Sequence, residues 1–449
     1  MSQNQSLQEQ GLNRSVKSRQ LMMIAFGSSI GTGLFLGSAG SIQYAGPAVL
    51  ISFALVGVIV YFLMRMLGEM AVEHPVSGSF AAYSRAFIGP VAGFITGWNW
   101  WFTTVVVGML ELTAMGTFLD YWFPGLPHWV TALVTLLVVV ALNLFNVRVF
   151  AATEYWLSLI KVAALVLMIV LGFALVVGLG PDEAIGLSNI TDHGGFMPNG
   201  VSGVLFALVA VTFTFGGIMS IGTAAGEADN PEKAIPRAVN SVVWRILVFY
   251  LGGIGTILLL APWNEQGSNE SPFIRVLSGV GFGPAATALN VVIVVAVFSV
   301  LNTMTYSGAR MLRDLARNGQ APQAFAATST KGLPTKALLF DAALMGTVVI
   351  LNFFFEGKIF AVLLAIIVGT ELITWAGICI SHLNFRKTSK SATFPAPLYP
   401  AANWVCIGFF VLVLVLMGIL PEYRMGLATL TGWIIVLGLI SLTTQRSRA

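Results

Sequence analysis

Two apolar stretches of this sequence are interrupted by small and polar residues where a membrane helix is normally continuous. The first reads GSSIGTGL over residues 27–34, and the second contains Gly216 and Gly217. A broken helix exposes backbone groups that are costly in hydrocarbon, so protein, water or a ligand must satisfy them. N–H groups at the start of a half-helix attract an anion, and carbonyls at the end of one suit an ammonium group. Two opposed breaks therefore predict a receptor for a zwitterion, with Thr32, Gly33 and Leu34 donating to its carboxylate.

Lys161 and Glu111 are ionisable residues inside apolar spans. Such residues are rare in membranes and by default functional, and apolar surroundings disfavour the charged form of Lys161, so it could release a proton during a transport cycle. Glu154 precedes Lys161 by two helical turns, so both project from one face. A structural ion pair or snorkelling is the alternative for Lys161, and hydrogen bonding between packed helices is the alternative for Glu111. Glu371 and Asp341 are weaker candidates.

The elements that position these residues are membrane-spanning helices. The chain has 449 residues, of which 57% are hydrophobic and 9% charged, and this composition excludes a soluble domain of that size. The sequence therefore predicts an all-α polytopic membrane protein embedded in lipid, with twelve transmembrane helices, here called spans 1 to 12. A net charge of +4 is not a nucleic-acid footprint, so no nucleic-acid partner is expected. The spans are centred near Leu34, Val58, Val106, Leu136, Leu167, Leu208, Tyr250, Val295, Leu344, Leu372, Phe410 and Ile434.

The basic residues indicate how the spans are oriented. With the N-terminus in the cytoplasm, all Lys and Arg residues but four fall in cytoplasmic segments; Arg275, Lys358 and Arg424 are external, and Lys161 lies in the membrane. This bias is typical of a multi-pass protein of the cytoplasmic membrane with both termini in the cytoplasm. Residues 73–90, after span 2, are predicted to include a short amphipathic helix on the cytoplasmic face.

The interruptions fall in spans 1 and 6, and the tetrad SIGT occurs in both, at residues 29–32 and 220–223. Paired Gly-interrupted segments at corresponding positions indicate an inverted repeat with a binding site at the midplane. Close helix packing by small residues is the alternative interpretation of each break. We predict a cytoplasmic tail at residues 1–19, a first repeat over 20–180 (spans 1–5), a second repeat over 200–385 (spans 6–10), spans 11–12 over 400–443, and a cytoplasmic tail at 444–449.

Five segments carry a resemblance to a known family. They are GSSIGTGLFLGS in span 1, PVSGSFAAYSRAFIGP after span 2, GMLELTA in span 3, EYWLSLIKV in span 5 and FTFGGIMSIGTAAGEADNPEKAIPRAVN from span 6 onward. Together they resemble the bacterial amino acid permeases, the amino acid transporter family of the amino acid–polyamine–organocation superfamily. The resemblance covers nearly the whole chain. It implies a leucine-transporter-like 5+5 inverted repeat with broken helices 1 and 6, and proton-coupled uptake of an amino acid without any cofactor besides the proton.

The resemblance also implies site residues. Backbone of the span 1 break would hold the substrate carboxylate, while Ser29 and span 6 carbonyls near Phe213 and Gly216 would meet the amine. Lys161 stands where sodium-dependent relatives hold an ion. The family pattern after the glycine pair runs to a glutamate, but this chain has Met219, which favours an uncharged substrate side chain. The substrate-binding residues carried over are Ser29, Ile30, Gly31, Thr32, Gly33, Phe213, Phe215, Gly216, Gly217 and Met219.

These features predict a secondary active transporter, not an enzyme, that imports a neutral or aromatic amino acid by proton symport, with Lys161 or Glu111 carrying the proton. A charged Lys161 would bridge carbonyls of the broken span 1 to span 8, near Ser299 and Asn302. The alternatives are an amino acid exchanger, or a non-transporting membrane sensor or channel on the same scaffold. The sequence leaves open which amino acid is carried and whether the protein is a monomer or a homo-oligomer.

Overall fold

The computed structural model describes residues 30–76, 79–144, 147–179, 184–219, 231–266, 271–279, 283–329, 332–355, 359–388 and 393–446. Within these ranges the regular structure is helical throughout, without any strand. The predictions for residues 1–19, for Ser29, for the tetrad at 220–223 and for residues 447–449 concern parts of the chain outside the described residues.

The first half of the chain provides spans 1 to 5. The second half of span 1 is a π-helical turn (Gly33–Gly37) that continues into α1 (Ser38–Ala45), and a 3-10 turn (Gly46–Ala48) leads into span 2. The predicted short helix after span 2 is confirmed as α3. The helices that follow α1 are α2 (Val49–Glu73, span 2), α3 (Ser79–Phe87), α4 (Pro90–Leu119, span 3), α5 (His128–Asn143, span 4) and α6 (Val147–Val176, span 5).

The second half provides spans 6 to 12. Span 6 begins as α8 and ends, within the described residues, in a 3-10 turn (Gly216–Met219). Span 7 consists of α9, a π-helical turn (Ile246–Gly252) and α10. The helices are α7 (Ser188–Thr191), α8 (Gly200–Thr214), α9 (Pro231–Arg245), α10 (Gly253–Leu260), α11 (Pro272–Gly279), α12 (Gly283–Arg317, span 8), α13 (Thr335–Phe354, span 9), α14 (Ile359–Thr388, span 10), α15 (Ala401–Ile419, span 11) and α16 (Pro421–Arg446, span 12), with 3-10 turns at Trp263–Glu265 and Gln323–Phe325.

Helix lengths agree with the predicted number of spans. Nine helical segments of the described chain are long and apolar enough to cross a membrane, and one of them, Gly33–Glu73, contains both the second half of span 1 and span 2. Two shorter apolar helices, α5 and α8, supply spans 4 and 6. α8 is short because span 6 is broken after Thr214. The all-α polytopic fold with twelve spans is therefore confirmed.

Prolines and one glycine mark where several helices begin. Pro90, Pro272 and Pro421 are the first residues of α4, α11 and α16, where the missing N–H would have had no partner in the helix anyway. Gly46 has a φ of 59°, which glycine adopts without strain, so the chain can turn from α1 into α2. These local signals fix where the helices begin.

Burial separates central helices from peripheral ones. α4 packs against α12 and α14 in the middle of the bundle, and most of its residues are buried. On α6, by contrast, Leu167, Val170 and Phe173 are 58%, 59% and 60% exposed. An apolar face of this kind is suited to hydrocarbon, so α6 contacts lipid on one side and the bundle on the other.

A buried ionic cluster connects α2, α14 and the segment before α15. Oε2 of Glu69 accepts hydrogen bonds from Nε2 of His382 (3.0 Å), Nη2 of Arg386 (3.0 Å) and the backbone N–H of Ala396 (2.6 Å). The side-chain amide of Asn403, on α15, lies 3.1 Å from Nδ1 of His382. Glu69 is fully buried, so these donors are needed to stabilise its negative charge.

Glu69→Gln is expected to lower the free energy of unfolding by about 3 kcal/mol, because it leaves Arg386 beside a neutral amide in a buried site. Glu73→Gln is the matched control. Glu73 lies one turn further on α2 and accepts exposed hydrogen bonds from Thr393. The loss in free energy of unfolding caused by Glu73→Gln is therefore expected to stay below about 1 kcal/mol. Thermal unfolding in detergent, followed by circular dichroism, compares the two. Equal shifts of the midpoint would contradict the structural role of Glu69.

Candidate functional site

The two helix breaks lie against each other. Oγ1 of Thr214, at the end of α8, donates a hydrogen bond of 3.3 Å to the carbonyl of Gly33. A Cβ added at Gly33 would lie only 2.9 Å from Cα of Thr214, and one at Gly37 would lie 3.1 Å from the ring of Phe213. Glycine is needed at position 33 because the backbone of the other break occupies the space of a side chain.

The half-helix of span 1 begins with two hydrogen bonds to one carbonyl group. The N–H groups of Leu34 and Phe35 both donate to the carbonyl of Gly31, at 3.1 and 3.2 Å. The N–H groups of Thr32 and Gly33 precede these bonds and stand at the start of the half-helix, where an anion is favoured. The expectation that Leu34 donates to a carboxylate is wrong, because its N–H is already bonded within the half-helix.

Side chains of neighbouring helices support the break in span 6. The hydroxyl of Tyr250, in span 7, donates to the carbonyl of Thr214 at 3.1 Å. The ring of Phe215 lies 4.2 Å from the ring of Tyr250 and 6.2 Å from that of Phe53, centroid to centroid. The backbone N–H of Ile218, in the 3-10 turn, donates to the carbonyl of Phe215 at 3.2 Å. Protein groups thus satisfy part of the backbone that the break exposes.

A cavity of about 40 Å³ lies between the breaks and has room for a few water molecules. An amino acid needs more space, so binding requires the surrounding half-helices or side chains to move apart. Ile30, Phe215 and Met219 are fully buried away from this lining, and Ser29 lies outside the described residues. The predicted residues that line the cavity are Gly31, Thr32, Gly33, Phe213, Gly216, Gly217 and Glu111.

Further lining residues were not predicted from the sequence. On α4, Trp100, Thr103 and Val107 line the cavity together with Glu111. They recur at intervals of three or four residues, so they form one stripe of that helix. This spacing could have identified them once Glu111 was placed in the site. The other unpredicted lining residues are Thr214 on α8 and Val300 and Met304 on α12, and Glu371 on α14, a weaker candidate from the sequence, lines the cavity as well.

Glu111 is joined directly to the half-helix of span 1. Oγ1 of Thr32 donates a short hydrogen bond to Oε2 of Glu111, and both side chains are buried. The carboxyl group of span 3 is therefore tied to the residue at which a bound anion would meet the half-helix. A change in the charge of Glu111 would act on the cavity directly, since Glu111 lines it, and on the half-helix through this hydrogen bond.

Lys161 lies in a second buried cluster, outside the residues that line the cavity. Its Nζ donates to Oγ of Ser299 at 3.0 Å and is 3.9 Å from Oε1 of Glu154, and Oγ of Ser299 donates to that same carboxylate oxygen at 2.5 Å. Lys161 is fully buried, which excludes snorkelling. Ser299 is confirmed as its partner in span 8, whereas Asn302 accepts a hydrogen bond from Asn143 instead. The span 1 residues that precede Ile30 are outside the described chain.

Residues 20–443 match the family model described as amino acid permease. The chain belongs to the amino acid permease family. The aromatic amino acid transport protein AroP of Escherichia coli strain K12 is 42% identical to the permease over 433 residues, which cover 95% of this chain and 94% of AroP.

Two further relatives also match over nearly their whole length. AroP of Salmonella typhimurium strain LT2 is 38% identical over 442 residues, with 97% of this chain and 96% of the relative covered. The uncharacterized amino acid permease YtnA of Bacillus subtilis strain 168 is 39% identical over 437 residues, with 96% and 94% covered. The permease is therefore a multi-pass membrane transporter of amino acids and not an enzyme, as the sequence motifs predicted. The boundaries of its two repeats stay predictions.

Proposed function

We propose that the permease imports a neutral or aromatic amino acid across the cytoplasmic membrane by proton symport. The observation that carries the proposal is the contact between the two breaks, where Gly33 meets Thr214. The start of the span 1 half-helix favours a carboxylate, and the end of α8 favours an ammonium group. An amino acid bears both groups on one carbon, so it needs these two helix ends close together.

The lining of the cavity supports the substrate class. Trp100, Phe213, Val107, Val300 and Met304 give it a largely apolar and aromatic surface, which suits an apolar or aromatic side chain. Two of the relatives are aromatic amino acid transport proteins by name. A neutral or aromatic amino acid therefore agrees with both the lining and the family.

The proton is the proposed coupling ion, and Lys161 is its proposed carrier. The charged ammonium holds α6 to α12 through Ser299, at the place where the resemblance puts an ion in sodium-dependent relatives. Release of the proton removes that charge and favours a different arrangement of the two helices, which is the population shift that a transport cycle needs. Glu111 is the alternative carrier, because Thr32 connects it to the binding site.

Uptake into proteoliposomes tests the proposal. A panel of labelled amino acids is supplied under an imposed pH gradient, an imposed sodium gradient, or neither. We expect saturable uptake of a neutral or aromatic amino acid that is accelerated by an inward proton gradient and is independent of sodium. Uptake of no amino acid would refute transport. Uptake that occurs only when amino acid is preloaded inside would identify an exchanger, and dependence on sodium alone would refute proton coupling.

A further inference from the structure

Glu371, on α14, is a buried carboxyl group to which the transport cycle above gives no role. It is 3% exposed and lines the cavity. A Cβ added at Gly216 would overlap its Oε1 and lie 2.6 Å from its Oε2. The carboxyl group therefore rests directly on the backbone of the 3-10 turn that follows α8, and the glycine leaves the space that it occupies.

The residues that line the described cavity bring no positive charge to Glu371, since no Lys, Arg or His is among them. Its Oε2 has no hydrogen-bond partner in the described part of the chain. The side-chain amide of Asn99, which reaches the same part of α14, donates instead to the carbonyl of Thr370 at 2.7 Å and to Oγ1 of Thr374 at 3.0 Å. A carboxylate without a donor or a cation is costly in such surroundings, so this one is suited to a ligand that brings one.

Glu371 differs in this respect from the other buried carboxyl groups of the described chain. Each of those accepts a hydrogen bond from a side chain: Glu69 from Arg386, Glu111 from Thr32, Glu154 from Ser299 and Asp341 from Trp101. A buried carboxyl group in this fold is thus normally given a donor by a neighbouring helix. The described residues that surround Glu371 leave its Oε2 without one, and this is the carboxyl group that stands at the break in span 6.

The carboxyl group lies where the ammonium group of the substrate is expected. The end of α8 is the negative pole of that helix and attracts a cation. Glu371 lies against Gly216, two residues after Thr214, and Thr214 contacts Gly33 across the breaks. Two residues of backbone span at most roughly 7 Å. One amino acid can therefore meet the start of the span 1 half-helix with its carboxylate and Glu371 with its ammonium group.

We propose that the carboxylate of Glu371 binds the ammonium group of the transported amino acid, together with the end of α8. The inference rests on the proposed function and deepens it, because it adds a charged side chain to a site otherwise made of helix ends. Two negative groups then face the cation. A ligand that keeps its carboxylate but lacks the ammonium group leaves both of them unpaired and is repelled by Glu371, so the charge of Glu371 makes the permease select for an ammonium group.

Calorimetric binding of matched ligand pairs to the purified permease in detergent tests this inference. Each pair is an amino acid and the same molecule without its ammonium group: phenylalanine and 3-phenylpropionate, tryptophan and indole-3-propionate, leucine and 4-methylpentanoate. Glu371→Gln and Glu371→Met should weaken binding of the amino acid at least about tenfold, because a charge-assisted hydrogen bond is lost. The anion without the ammonium group should bind the variants as tightly as wild type or more tightly, because repulsion by the carboxylate is removed.

Two further variants separate this role from a general effect of buried charge. Asp341 is also a buried carboxyl group, but it accepts a hydrogen bond from Trp101 and is not among the residues that line the described cavity. Asp341→Asn should therefore keep the wild-type ratio of the two affinities in each pair. In Gly216→Ala, the added methyl group would displace the carboxyl group of Glu371 from the turn. This variant should likewise weaken the amino acid and spare its partner.

Several results would overturn the inference while leaving the proposed function intact. One is a wild-type ratio of affinities in both Glu371 variants. Another is equal weakening of both members of a pair, which would make Glu371 a structural residue. A third is loss of pH-driven uptake with the ratio unchanged, which would assign Glu371 to proton transfer. If the Glu371 variants do not fold, Gly216→Ala decides, and an unchanged ratio there overturns the inference. Binding of no amino acid at all would overturn both proposals.

Discussion

Gly33→Leu is expected to abolish amino acid binding while leaving the permease inserted in the membrane. Even a Cβ at this position would lie 2.9 Å from Cα of Thr214 and 3.4 Å from the ring of Phe213. A leucine side chain would occupy the space between the breaks and cover the N–H groups at the start of the half-helix. Equilibrium binding should weaken by at least about 100-fold, which corresponds to roughly 2.8 kcal/mol.

Gly40 provides the matched control for this prediction. It lies two helical turns beyond Gly33 in the same half-helix, and a Cβ there would meet no atom within 4 Å. Gly40→Ala should therefore bind substrate as wild type does, whereas Gly33→Ala should already be impaired. Wild-type affinity in Gly33→Ala and Gly33→Leu would show that the glycines serve helix packing only.

Lys161→Gln is expected to keep measurable substrate binding and to lose accumulation of substrate against its gradient. Glutamine can still donate to Ser299, but it cannot exchange a proton. An inward gradient of one pH unit supports up to about tenfold accumulation when one proton accompanies each substrate. In proteoliposomes under that gradient, the variant should only equilibrate its substrate. Lys161→Ala should behave in the same way.

Glu154 must be changed together with Lys161 to separate coupling from stability. The single variant leaves the buried Glu154 without a cation that lies 3.9 Å away in wild type, and this destabilises the bundle. Lys161→Gln combined with Glu154→Gln removes both charges and should restore thermal stability without restoring uphill uptake. Uphill uptake by the double variant would reduce Lys161 to a structural ion-pair partner. If Lys161→Ala accumulates substrate to the wild-type level, Glu111 and not Lys161 is the residue that carries the proton.

The spans and the breaks were predictable because the membrane restricts what a sequence can do. A span needs a run of apolar residues of nearly fixed length, and glycines that interrupt such a run need a partner for the backbone they expose. Gly33 and Gly216 satisfy both conditions, and the structure brings both to one cavity. The pair of Glu154 and Lys161 was predictable for a similar reason, since two helical turns put both residues on one face.

The remainder of the site depends on how the helices are rotated and tilted against one another. Packing between helices sets those angles, and the apolar pattern of a central span such as α4 or α14 does not reveal them. Glu371 therefore ranked as a weak candidate although it lines the cavity, and Asn302 was expected beside Lys161 although it bonds to Asn143. The bond from the N–H of Leu34 to the carbonyl of Gly31 likewise depends on the tight first turn of the half-helix, which the sequence does not specify.

Proton movement on addition of substrate shows directly whether the permease carries a proton with each amino acid. Proteoliposomes containing the permease and a pH-sensitive dye are prepared without sodium and without an imposed gradient, and the membrane potential is clamped with potassium and valinomycin. We expect that adding a transported amino acid outside acidifies the lumen, at a rate that saturates with the amino acid concentration, and that Lys161→Gln abolishes this acidification. Uptake of the labelled amino acid with no change in lumenal pH would contradict this expectation.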